Sequence, residues 1–398
     1  MENIELEATI RCLEEQLPSQ TRSELILLSN ALHRHAAQDI YAPLNVPPFN
    51  RSAMDGYAVK AAQTVGASKD SPIALEVAGV ILAGDGADIQ GQAVKIMTGA
   101  QIPADFDAVV CQEDTDYGSE QVRLYAEAKP YNNYIKIGEE IRQGQLVIKQ
   151  GCRLLPIHLG ILASLGFDQV EVMVPLKVGL LSTGSELTPP GTPLENGHIY
   201  ESNSFMLAGR LRELGVETVF NRQVGDDFQE ACQFIQQSMN QINLLLATGG
   251  VSVGQKDIMH DVFKSLGVKR LFWRLKLRPG TPALAGVYEG KLILGLSGNP
   301  FAALVTFELL FRSLLSHFLK TDAYLCLRRK AFLMADFPKA SRQRRFVRAH
   351  FEDGKVYLPA MAHESSVLSG MVLCNCLIDI PAGNKGLKEG DLVEIVRL

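Results

Sequence analysis

Apolar and polar positions change their spacing several times along this chain, and each change marks a new unit. Residues 3–16 put Ile4, Ala8, Ile10 and Leu13, with Leu17 just beyond, near one helical face. The stretch 24–38 predicts a second helix. Pro43, Pro47 and Pro48 then force an extended segment. From Tyr57 to about Tyr134 the apolar runs shorten to 73–81, 93–97, 108–112 and 122–126, with Gly, Asp and Pro between them. That pattern predicts a small all-β barrel or sandwich. Residues 156–165 predict one more helix, so the two N-terminal helices and this one form a unit that the β segment interrupts.

From Pro175 onward, strand and helix spacing alternate. Strands are expected at 178–182, 216–220, 244–247 and 292–296. Helices are expected at 203–215, from Asp226-Asp227 to about 239, at 258–266, and from Pro300 to 319. Alternation at this spacing means a mostly parallel sheet covered on both faces. Ligands bind such sheets at the C-terminal ends of the strands. Here three strand ends carry Gly-rich polar turns: 183–186, 248–254 and 297–300. After Thr321 the alternation stops, and β runs at 346–351, 355–358, 376–380 and 391–396 predict a second small β unit.

The turn after Ala247 is the most informative. Thr248-Gly249-Gly250, Ser252 and Gly254 lead to Asp257 and a helix. A strand that breaks into a Gly-rich loop before a helix presents free backbone N–H groups, which suit phosphate or another oxyanion. No Gly-Lys-Ser/Thr follows, so it is not a P-loop, and it is not G-x-G-x-x-G. A plain tight turn reads the same way. Asn299-Pro300 suits an N-cap with proline at the first helical position, with or without a ligand. Asp55-Gly56 reads equally as an Asx turn. Arg342, Arg344 and Arg345 form a solvated basic face or, beside an anion site, a clamp.

Composition narrows the classes. A length of 398 residues predicts two to four domains. The net charge of −5 argues against broad nucleic-acid binding. Seven scattered cysteines, only Cys374 and Cys376 close together, give no zinc pair and suit a reducing, cytoplasmic setting. Glu2, Glu5 and Glu7 do not make a signal peptide. The apolar helix from Pro300 contains Glu308, Arg312 and His317, which fits a core helix better than a membrane span.

Several strings resemble the bacterial MoeA family and the E domain of gephyrin. They are Pro47-Pro-Phe-Asn-Arg-Ser-Ala-Met-Asp-Gly-Tyr-Ala58, Ile96-Met-Thr-Gly-Ala100, Ser182-Thr-Gly-Ser-Glu-Leu187, Thr248-Gly-Gly-Val-Ser-Val-Gly254, Gly298-Asn-Pro300 and the 365–375 region, in the family's order. The resemblance implies a multi-domain α/β plus β fold. Its parts are a helical linker domain in two pieces (1–48 and 136–173), an inserted β domain (49–135), a three-layer α/β, MogA-like domain (174–322) and a C-terminal β-barrel (323–398). It also implies an elongated homodimer whose active site lies between the α/β domain of one chain and the β domain of the other.

The implied activity is metal insertion: molybdate enters adenylated molybdopterin, AMP leaves and molybdenum cofactor forms, with Mg2+ assisting. By resemblance Asp55, Glu186, Asp226 and Asp257 are catalytic, and Glu186, Asp226 and Asp257 hold the metal. Substrate contacts are implied for Thr98, Glu140, Thr183 and Gly184, and for Gly249, Gly250, Ser252 and Gly254. They are implied also for Arg274, Arg278, Ser297, Gly298, Asn299, Pro300, Arg345 and Ser369. Contact with the molybdopterin adenylyltransferase is expected, and no nucleic acid or membrane partner. The chain departs from the family at Glu140, where Asp is usual, and at Arg278-Pro-Gly-Thr-Pro282, where Lys-Pro-Gly-Lys-Pro is usual. Arg keeps the first charge as a planar fork; Thr281 loses the second, and Arg274 or Lys276 could compensate. A non-catalytic scaffold of the same fold and a tungstate-inserting paralogue are the other readings.

Overall fold

The computed structural model describes residues 1–252, 258–360 and 363–398. Among the described residues six α-helices occur: α1 (Leu6–Glu14), α2 (Pro156–Ser164), α3 (Asn203–Glu213), α4 (Phe228–Ser238), α5 (Met259–Ser265) and α6 (Pro300–Leu319).

The body is a seven-stranded sheet. Its order is Glu2–Ile4, Lys269–Leu275, Leu284–Tyr288, Lys291–Leu296, Leu244–Thr248, Lys177–Thr183 and Glu217–Val224. The last four run parallel. Leu284–Tyr288 is antiparallel to both neighbours. The period-2 geometry of a strand sends alternate side chains to opposite faces, and apolar residues fill both. Leu244 and Leu246 join a core with α1, α3 and α6, whereas Leu245 and Ala247 join one with α4 and α5. The result is the expected three-layer arrangement.

Helix α6 is the only described helix long and apolar enough to cross a membrane, but 78% of its apolar window is buried inside the protein. Its Glu308 is buried and held by Arg210, with Nε–Oε1 at 2.6 Å, and by Arg312 at 3.4 Å. A buried carboxylate must be paired in this way. Helix α6 is therefore the core helix of the sheet.

Two expected helices change. The helix expected over 3–16 is α1, shortened because Glu2–Ile4 forms an edge strand in register with Trp273 and Leu275. The helix expected over 24–38 is absent. Ser23–Leu27 is a strand antiparallel to Gln169–Met173, followed by a single 3-10 turn at Leu28–Asn30. Leu25-Ile-Leu-Leu28 is a contiguous apolar run with no helical stripe, and its partner lies far along the chain, where local spacing cannot reveal it. The antiparallel strands Lys269–Leu275 and Leu284–Tyr288 were likewise hidden from a strand-helix pattern.

The inserted β unit is a five-stranded sheet in the order Ala108–Cys111, Gly56–Val59, Ala93–Ile96, Ile73–Ile81 and Gln121–Leu124, with apolar clusters on both faces. The C-terminal unit is a closed barrel of Arg344–Glu352, Lys355–Tyr357, Arg328–Leu333, Leu392–Arg397 and Cys376–Ile380, closed by pairing of the first with the last. The two-residue strand Leu277–Arg278 leaves the α/β body and pairs in parallel with the first barrel strand. That pairing brings the strand ends of the sheet and the wall of the barrel together.

Candidate active site

The parallel strands end side by side, and their loops lock to one another. The Thr183 hydroxyl donates to the Thr248 carbonyl at 3.3 Å. Gly249 has φ +85°, and a Cβ there would stand 2.3 Å from the Thr183 carbonyl oxygen. Only glycine allows both the left-handed backbone and this approach. The Ser185 N–H and hydroxyl donate to Asp226 Oδ2 at 3.2 and 2.7 Å, which ties the 183–186 turn to the turn before α4. Asp227, not Asp226, caps α4, accepting from the Gln229 and Glu230 N–H groups. The Glu186 carboxylate folds over Gly184, its oxygens 2.8 and 2.9 Å from where a Gly184 Cβ would stand.

The third strand end opens into a cleft. Gly298 packs against the Gly249 backbone, and the buried Asn203 amide donates to the Gly298 carbonyl at 2.8 Å. Past it lies a cavity of about 270 Å³ between the sheet and the barrel. Arg278, Lys339 and Arg345 supply its cations, Ser297, Asn299, Thr281 and Ser365 its neutral polar groups, and Phe301 and Phe337 its apolar wall. Among the described residues Glu364 is the one carboxylate in the lining, and Lys339 pairs with it at 3.6 Å.

The cleft gathers positive charge. Arg278 and Arg345 stand opposite each other in the parallel strand pair. Like charges so placed repel. Burial first, then the neighbouring Arg278, hold the Arg345 guanidinium below its usual pKa. Arg345 Nε and His363 Nδ1 are buried with no partner among the described residues. Burial, then Arg348 and Lys339, also lower the His363 pKa. An oxyanion would accept from the unpartnered Arg345 Nε–H and relieve the repulsion between the two guanidinium groups.

The Asp55 loop is a separate feature of the inserted β unit. Asp55 Oδ1 accepts from the Thr98 N–H and hydroxyl, both at 2.7 Å. Those two bonds, backbone first, hold its carboxyl below the usual range. No residue of 49–135 lines the cleft.

Comparison with known proteins settles the family. The MoeA N-terminal region (domain I and II) matches residues 4–166, a probable molybdopterin binding domain 179–317, and the MoeA C-terminal region (domain IV) 330–398. A molybdopterin molybdenumtransferase of Bacillus subtilis is 34% identical over 387 residues, covering 95% of this chain and 90% of its own. One of Haemophilus influenzae is 35% identical, covering 96% and 95%. The crystal structure of a molybdopterin biosynthesis MoeA protein from Pyrococcus horikosii superposes with a TM-score of 0.86 at 31% identity over 99% of each chain. The chain belongs to the MoeA family. It is a transferase of molybdenum cofactor biosynthesis.

Within this MoeA-family chain the expected residues fall into groups. Arg278, Ser297, Asn299 and Arg345 line one cleft. Thr183, Gly184, Glu186, Asp226, Gly249 and Gly250 meet at the adjoining strand ends, and Gly298 joins the two groups. Asn299 is the N-cap residue of α6 with Pro300 at the first helical position, as expected, but its side chain makes no cap bond: its amide donates to the Ser365 hydroxyl at 3.2 Å. Ser252 is exposed just beyond. Gly254 and Asp257 lie outside the described residues. Glu140 is exposed in the segment leaving the β unit, its N–H bonded to the Val46 carbonyl.

Three expected contacts sit elsewhere. Arg274 lies against the Trp273 ring on the second strand of the sheet, and Lys276 pairs with Glu5 at 3.1 Å, so neither makes up for Thr281 inside the cleft. Ser369 borders a different, apolar groove beside His350 and Leu373. The basic run divides by strand alternation: Arg344 turns to Asp379 and Glu7, and Arg345 turns to the cleft. Sequence reasoning missed Lys339 and His363. Each is a lone residue in an irregular segment, and only barrel closure brings it to the sheet.

Proposed function

We propose that this chain inserts molybdate into adenylated molybdopterin, releasing AMP and giving molybdenum cofactor. The observation that carries the reading is the pair Arg278 and Arg345, in register on adjacent strands, with the buried Arg345 Nε unpartnered among the described residues. A dianion leaves water only for a pocket with cationic partners. The cleft adjoins the Gly-rich strand ends, whose backbone N–H groups suit the phosphates of the second substrate. The oxyanion and the pterin phosphates would then lie next to each other.

Mg2+ fits the strand ends. It takes one or two carboxylates and fills its remaining positions with water and substrate phosphates. Among the described residues the Glu186 carboxylate has no partner, and Asp226 uses only Oδ2. No set of three metal-ligating side chains occurs among the described residues, which suits an ion completed by substrate. Glu186 and Asp226, with Asp257, would hold it there and neutralise phosphate charge. Asp55, on a unit whose residues are absent from the cleft lining, would act on the α/β domain of the other chain in a homodimer. The adenylylating enzyme that makes the pterin substrate is the partner this reading requires.

The test is incubation with adenylated molybdopterin, Mg2+ and molybdate or tungstate, following AMP release. AMP should appear only with an oxyanion present. Release should fall in Glu186→Gln and Asp226→Asn while the melting temperature stays within a few degrees. Pterin binding without any oxyanion-dependent AMP release would make the chain a scaffold instead.

A further inference from the structure

We propose that Arg348 is the positioning residue that clasps the segment after His363 onto α6 and so sets the cleft's affinity for oxyanion. The proposal rests on the reading of the cleft as the oxyanion site.

Arg348 is fully buried on the first barrel strand, and no carboxylate forms an ion pair with it among the described residues. Its guanidinium lies 3.7 Å from the centre of the Phe301 ring. Nη2 donates to the Glu364 carbonyl at 2.7 Å, and Nη1 donates to the Val367 carbonyl. Taking a cation out of water without a counter-charge is unfavourable. A methionine would fill the same space without that cost, so filling space does not account for the charge.

The two carbonyls explain where the charge acts. They flank Ser365, and Ser365 is itself tied to the start of α6. Its carbonyl accepts from the Phe301 N–H at 3.1 Å, and its hydroxyl accepts from the Asn299 amide at 3.2 Å. One buried guanidinium therefore grips the segment on both sides of Ser365 and stacks on the residue that holds Ser365. His363, Glu364 and Ser365 all line the cleft, whereas Arg348 does not. Gly370 completes the clasp: a Cβ there would stand 2.9 Å from Arg348 Nη1 and 3.2 Å from its Cδ.

The experiment is equilibrium dialysis of the full chain against molybdate, with the half-saturating adenylated molybdopterin measured in parallel. Arg348→Met should weaken molybdate binding about tenfold, the loss of roughly one charge-assisted hydrogen bond's worth of alignment. The pterin requirement should change by less than about twofold. Arg348→Lys should recover part of the loss, and Gly370→Ala, which leaves the charge but displaces it, should fall between. If both requirements rise together, or molybdate binding is unchanged, the clasp is wrong. If Arg348→Met does not fold, Gly370→Ala decides, and unaltered molybdate binding there overturns the proposal. Arg278→Ala separates the two claims. No effect of that change on molybdate binding would defeat the cleft reading; an effect there with none from Arg348→Met and Gly370→Ala would defeat only the clasp.

Discussion

Replacing Arg345 by Met should make the free protein more stable and the molybdate-bound protein less so. Two terms set the size of the first effect. Arg345 faces Arg278 across the strand pair, a like-charge contact that costs about 0.2–1 kcal/mol. Its Nε is also buried without an acceptor among the described residues, which costs about 1–3 kcal/mol. Against these stands its position over the Phe337 ring, 5.9 Å away, which contributes about 0.5 kcal/mol. Methionine keeps most of the stem. The net gain is on the order of 1 kcal/mol, or about 2–4 °C for a unit of roughly 150–250 residues. The second effect runs the other way. At a hundred times its Kd, molybdate adds about 2.7 kcal/mol to whatever binds it. Melting curves of wild type and Arg345→Met, taken as molybdate is raised, should therefore cross. The reasoning fails if the free variant loses stability on the scale of a core truncation, about 2–5 kcal/mol. It also fails if the variant keeps the full molybdate-induced shift.

Other consequences follow from the same geometry. Thr281 bonds the Leu277 carbonyl at 2.6 Å, so Thr281→Lys should cost about 1 kcal/mol of stability yet lower the molybdate concentration for half-maximal AMP release, because an ammonium joins Arg278, Lys339 and Arg345; an unchanged concentration would refute this. Mixing Asp55→Asn chains with Asp257→Asn chains should restore part of the activity in verified heterodimers, and no recovery would mean that each site is built from one chain. His35 is buried against the Tyr324 hydroxyl, with its pKa lowered from 6.5 to about 4 by burial and then by Arg153 and Arg34. The unfolded chain therefore binds a proton that the folded chain resists, and stability should fall by about 3 kcal/mol as pH drops from about 6.5 to about 4. His35→Phe should flatten that slope in acid melts, and an equal slope would assign the proton to another group.

Periodicity made much of the fold legible, and its limits were physical. The strands 244–247 and 292–296 were readable because both faces are buried and the runs are short and apolar. Helix α6 was readable from its length and its Asn-Pro start. Ser23–Leu27 was not, since a two-stranded ribbon depends on a partner far along the chain. The edge strand Glu2–Ile4 was hidden for the same reason. In the candidate site, Arg278, Ser297 and Asn299 stood beside recognisable turns, and Arg345 stood in a basic run. What singled Arg345 out from Arg344 was strand register, which spacing alone does not give. Lys339, His363 and Arg348 carry no local signal, because their place is fixed by closure of the barrel against α6. The charge missing at Thr281 looked replaceable by Arg274 or Lys276; the structure turns both away and supplies Lys339 and Arg345 from the other wall.

The central claim is that the oxyanion binds between the sheet and the barrel. Tungstate shares the charge of molybdate and nearly its size, and it scatters X-rays anomalously. A crystal of the full chain soaked in tungstate should show one strong anomalous peak in the cleft, within hydrogen-bonding reach of Arg278 and Arg345 and beside Ser297, and the same soak of Arg278→Ala should lose it. A peak beside Arg274 and Lys276, or a cleft left empty while tungstate still supports AMP release, would contradict the account.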